Sequence, residues 1–98
     1  MATLLSPDEL TDRLATLTGW SGEPGAITRR VELPTFPAAI EVVNRVAQVA
    51  EAMDHHPDID IRYRTLTFTC ATHSAGGVTD RDVELARQID DIVATALG

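Results

Sequence analysis

Cysteine occurs once in this chain of 98 residues, as Cys70. That excludes an internal disulfide framework and any cysteine-based zinc site. Cys70 falls on the apolar side of an alternating run, where a thiol is inert packing and not a nucleophile. Aromatics are scarce too: one Trp, one Tyr and two Phe leave Val, Leu, Ile and Ala to build the core. Eight basic residues stand against fifteen acidic ones, a net charge of -7. Binding to a phosphate backbone gathers Lys and Arg on one face, so direct nucleic-acid contact is not expected. The basic pairs, Arg29-Arg30 and Arg62/Arg64, read as solvent faces of strands. No apolar run reaches membrane-spanning length, and no basic segment followed by an apolar one opens the chain. A cytoplasmic protein without a membrane partner is the expectation.

What is present is ordinary globular composition, 44% apolar and 23% charged, enough for one domain over residues 1–98. Ser6-Pro7-Asp8-Glu9 is a helix start with a capping box, and Leu5 and Leu10 are spaced as a staple. Leu10, Leu14 and Leu17 mark the inner face of this helix, with Gly19 placed to end it. A short strand around Trp20 and a longer one over Ala26–Leu33 predict a hairpin, with Arg29 interrupting the apolar face. Thr35 and Pro37 open a second helix. Phe36, Ile40, Val43, Ala47, Ala50 and Met53 make its buried stripe, widened by Val46 and Val49. It stops near Asp54, because Pro57 disfavours helical geometry at His56.

Asp58–Tyr63 and Thr65–Thr72 alternate as a second hairpin, each strand with one wet and one buried face, and His73 falls on the threonine side. A flexible loop over residues 74–77 precedes a last helix capped by Thr79 and Asp82, with Val83, Ala86, Ile89 or Ile92, Val93 and Leu97 inward. The order α-β-β-α-β-β-α predicts an α+β fold, a four-stranded antiparallel sheet with helices packed on one face.

All three histidines cluster around one stretch, Glu51-Ala52-Met53-Asp54-His55-His56-Pro57, or follow the next strand pair as His73. Imidazole exchanges protons near neutral pH, so such a set can act as acid, base and hydrogen-bond donor. Glu51 and Asp54 are near enough in sequence to orient a ring, and Glu51 and His55 share a helix face if the last turn persists. Taken alone, the pair also reads as polar residues favoured at a helix C-terminus. Adjacent rings converge poorly on one ion, so no metal is expected.

Together, Glu51-x3-His55-His56-Pro57-x5-Tyr63-x9-His73-x8-Asp82 resembles the signature of the pterin-4a-carbinolamine dehydratase family. Leu5-Ser6, Gly19-Trp20 and Gly77-Val78-Thr79-x-x-Asp82 extend the resemblance from Leu5 to Leu97. It implies a 4a-hydroxytetrahydrobiopterin dehydratase that yields quinonoid dihydropterin and water during tetrahydropterin recycling, with no cofactor and no metal. It implies the same α+β sandwich, assembled as a homodimer or homotetramer. His55, His56, His73 and Asp82 take the catalytic positions, and Glu51, Asp54, Pro57, Trp20 and Thr72 the substrate-binding ones. Ile59 departs from the pattern, standing where many members carry an aromatic. The competing expectation is a non-catalytic binding or assembly module of the same fold, a dimer-stabilising partner protein; a degraded histidine set would favour it, and here the set is complete.

Overall fold

The computed structural model describes residues 3–98. Its elements run α1 (Pro7–Leu14), β1 (Trp20–Glu23), β2 (Ala26–Glu32), α2 (Phe36–Met53), β3 (Asp58–Arg62), β4 (Thr65–Cys70), a 3-10 turn (His73–Ala75) and α3 (Asp80–Leu97). The four strands form one antiparallel sheet in the order β1-β2-β4-β3, which is the predicted α+β fold.

Register sorts the two faces. Ile27 lies opposite Cys70, Arg29 opposite Phe68, and Val31 opposite Leu66. Ile27, Val31, Leu66, Phe68 and Cys70 are buried in one core with Val42, Val46, Leu85, Ile89 and Val93 of the helices. The other face carries Thr28 opposite Thr69, and Thr69 in turn opposite Asp58. It is the wet face that alternation requires.

Helix starts agree with their sequence signals. Ser6 and Glu9 close a capping box, Thr35 accepts the Ala38 amide at 3.1 Å, and Thr79 with Asp82 closes a second box. Helix ends and inner faces differ more. α1 stops at Leu14, not at Gly19; Leu17 stays buried from a turn instead of a helix face. On α2 the buried residues are Ala39, Val42, Val46 and Ala50. Phe36 and Ala47 are exposed, while Ile40, Val43, Val49 and Met53 are half-buried at its flanks. Apolar residues cover more than one side of α2, so periodicity permitted two stripes and the sheet selected the other. On α3, Leu85 is buried and Leu97 is 50% exposed, because the helix outruns the layer it packs on.

β3 is an edge strand; Ile61 is exposed, and Tyr63 follows it at φ 53, exposed and stacked on Phe36 at the start of α2. Arg29 is not on a solvent face: its Nη1 pairs with Asp90 at 2.5 Å on the helix side. The segment at 74–77 is closed rather than loose. Thr72 N–H donates to Gly77 C=O at 2.8 Å, and Gly76 N–H returns to Thr72 C=O at 3.0 Å. A side chain on Gly77 would strike the Pro24 carbonyl at 2.4 Å, which ties this loop to the β1–β2 turn. Among the described residues, no helix is long and apolar enough to cross a membrane.

Candidate active site

Asp54 ends α2 in the left-handed conformation, φ 50 and ψ 45. His55 N–H then reaches back to Ala50 C=O at 3.0 Å, a Schellman-type closure made without glycine. Past this turn the two imidazoles diverge. His55 goes inward, 8% exposed, with Nε2 2.5 Å from Asp82 Oδ1. His56 goes outward, with Nε2 2.7 Å from Glu51 Oε1. Glu51 therefore partners His56, not the i+4 neighbour His55, because the helix has already ended.

Asp82 is fully buried at the start of α3. Its Oδ2 accepts the Thr72 hydroxyl and the Thr79 amide, each at 2.8 Å, while Oδ1 faces His55. Two donors thus converge on Oδ2, and the His55 ring meets Oδ1. Thr72 spends its one hydroxyl proton on Asp82, so the 2.8 Å contact with Thr79 has Thr79 donating. The carboxyl group is thus held by hydrogen bonds from β4's exit, the helix cap and the imidazole. With Nε2–H directed at Asp82, the ring nitrogen of His55 left for other chemistry is Nδ1.

A cavity of about 480 Å³ opens beside this network, lined by Asp54, His55, His56, Pro57, Asp58, Ala71, Thr72, His73, Ser74 and Arg81. His56, Asp58, Ala71 and His73 continue into a smaller recess of about 240 Å³ over Thr69 and the Gly25-Ala26 end of the β1–β2 turn. His73 stands exposed at the start of the 3-10 turn, its approach set by the Thr72–Gly77 bridge. The combined space suits a small heterocycle, being within the roughly 300–1,000 Å³ usual for such sites. A more open groove of about 720 Å³ lies between α2 and β3 beside His56 and Pro57, walled by Ala47, Ala50, Ala52 and Ile59. It offers mainly apolar surface, with Glu51 and His56 at its edge, and no pair of facing proton donors.

The structure brings His55, His56, His73, Asp54, Pro57 and Thr72 to one cavity; Asp82 lies behind His55 and Glu51 behind His56. Trp20 is not brought there. It is buried on the helix side of the sheet, and its indole N–H donates to Asp90 at 2.7 Å beside Arg29. Sequence reasoning missed Asp58 and Arg81. Asp58 was legible as the first wet-face residue after Pro57, and Arg81 only as the neighbour of Asp82. Among the described residues, no group of three or more His, Cys, Asp or Glu side chains is arranged to hold a metal ion.

Comparisons with known proteins show the family of the chain. The family profile described as Pterin 4 alpha carbinolamine dehydratase matches residues 3–92. A protein of Nocardia farcinica provisionally named pterin-4-alpha-carbinolamine dehydratase is 54% identical over 89 residues, 91% of this chain and 94% of its own length. A Roseiflexus protein of the same provisional name is 52% identical, covering 95% of this chain and all 100% of its own. A crystal structure titled transcriptional coactivator/pterin dehydratase from Brucella melitensis superposes with a TM-score of 0.87 at 36% identity, covering 90% of this chain and 96% of that one. A pterin dehydratase-like RuBisCO assembly factor of the alpha-carboxysome shares the fold at a TM-score of 0.62 and 16% identity, covering 74% of this chain and 84% of that one.

Proposed function

We propose that this protein, which belongs to the pterin 4 alpha carbinolamine dehydratase family, dehydrates a 4a-hydroxytetrahydropterin to quinonoid dihydropterin and water. The observation that carries the reading is the pairing of His55 and His73 on one cavity, with the first ring held by a buried carboxylate. The bond from C4a to its hydroxyl oxygen breaks as an acid delivers a proton to that oxygen, releasing water. The lone pair of the adjacent ring nitrogen forms the new C=N bond, and a base collects that nitrogen's proton. His55, through Nδ1, and His73 share these two roles, each contributing about a hundred- to ten-thousand-fold. His56, steadied by Glu51, binds the pterin at the rim, with Asp54, Pro57 and Thr72 shaping the pocket. Asp82 fixes the His55 tautomer and offsets charge on the ring when it is protonated. Such acid–base chemistry calls for no metal and no organic cofactor.

Tetrahydrobiopterin recycling is the setting this reading favours, in the cytoplasm, where a free thiol such as Cys70 persists. A homodimer or homotetramer goes with it, supported by the uncovered edge of β3 and the exposed Ile61, Tyr63 and Phe36.

The test follows decay of freshly generated 4a-hydroxytetrahydropterin with catalytic amounts of the protein, beside His55→Ala and His73→Ala. Both variants are expected to lose at least about a hundredfold in rate. In urea, His73→Ala holds stability within about 0.5 kcal/mol, whereas His55→Ala loses about 1–3 kcal/mol by stripping a partner from buried Asp82. No acceleration by the native protein, or full turnover by either variant, would sink the assignment.

A further inference from the structure

α2 carries no basic residue in its last turn, so nothing on the helix itself answers the partial negative charge of its final carbonyls. The answer comes from another element. Arg81, second residue of α3, donates Nη2 to the carbonyl of Met53 and, at 3.2 Å, to that of Asp54. Those carbonyls belong to the left-handed turn at Asp54, a conformation that costs a non-glycine residue and needs its surroundings to hold it. The same turn sends His55 in to Asp82 and His56 out to Glu51. Asp82 is the next residue after Arg81. The first turn of α3 thus holds the histidine pair twice, by its backbone through Arg81 and by the His55 ring through Asp82.

We infer that Arg81 is a positioning residue, clamping the 53–54 turn so that the two imidazoles face their separate partners. Its part in turnover rests on the dehydratase reading above; its part in placing the rings does not. Both bonds leave one nitrogen, Nη2, whose N–H groups are fixed in the guanidinium plane, whereas an ammonium offers a mobile point charge and a methionine only the stem.

The experiment compares Arg81→Met and Arg81→Lys with Arg87→Met, a control on the same helix whose arginine reaches only Thr16 at 3.4 Å. It reads the ring nitrogen and carbon-bound proton resonances of all three histidines, the melting temperature, and kcat and KM separately. In Arg81→Met the His55 and His56 ring signals are expected to move or broaden while those of His73 stay. There kcat falls roughly ten- to a hundredfold with KM within about threefold. Arg81→Lys recovers part of the loss, and Arg87→Met matches the native protein. Unmoved histidine signals overturn the inference, whether accompanied by a lowered melting temperature alone or by a raised KM at native kcat, which would mark a substrate contact. Should the native protein lack dehydratase activity, the histidine signals still decide the role of Arg81, so the two readings fail separately.

Discussion

At the residue scale the site depends on a carboxyl group kept where water does not reach it. Asp82 is fully buried, and its oxygens meet a hydroxyl, an amide and an imidazole. Buried carboxylates persist when their acceptor sites are filled, and here the filling groups are also the ones that orient His55. Cys70, on the inner face of β4, meets the opposite treatment. Burial pushes its thiol from an ordinary 9.0 up to about 12, with the charges of Asp82 and Asp58 adding to the rise. The folded protein therefore keeps this proton at pH values where the unfolded chain gives it up. The resulting stabilisation is complete below pH 9 and lost as pH rises towards 12. Urea unfolding from pH 8 upward should show the native protein losing stability faster than Cys70→Ala, and parallel curves would contradict it. The native thiol should also resist a disulfide reagent at pH 8 until urea exposes it.

At the scale of the element, helix starts were easier to read than helix faces. Caps are local: Ser6 with Glu9, Thr35, and Thr79 with Asp82 satisfy amides within three residues of themselves. Which stripe is buried depends on what lies opposite, and for α2 and α3 that is the sheet and the other helix. Leu85 and Leu97 test this on one helix. Leu85→Ala should cost about 2–5 kcal/mol, since the buried side chain leaves a cavity. Leu97→Ala should stay within about 0.5 kcal/mol. Urea midpoints of the two variants decide it, and equal losses would place Leu97 in the core after all. The histidine pair was legible as chemistry, but its direction was not. A helix continued through His55 would have paired that ring with Glu51, and the turn at Asp54 gave Glu51 to His56 instead.

At the scale of the whole molecule the sheet is covered on one side and unfinished at its margins. β3 is an edge, and beside it Ile61, Tyr63 and Phe36 are 43%, 71% and 44% exposed. An edge with apolar side chains and free backbone groups is a template for a second strand. Sedimentation of the native protein at micromolar concentration is expected to give a dimer or tetramer. Ile61→Lys should shift it towards monomer with its circular dichroism unchanged; a native protein that sediments as a monomer would refute the pairing. The net charge of -7 helps keep such an apolar margin soluble, and leaves nucleic acid a poor candidate to cover it.

The sequence by itself determined the order of elements, the alternation of β4 and the company of three histidines with Asp82, because periodicity, capping and motif spacing are local properties. Only the tertiary structure decided that Asp82 meets His55, that Arg81 bonds the turn just before the imidazoles, and that Trp20 and Arg29 share Asp90 away from the cavity. Each of these joins residues from different elements, from 27 positions apart for His55–Asp82 to 70 for Trp20–Asp90. Contacts of that kind are set by how the layers pack, and no local pattern in the chain encodes them.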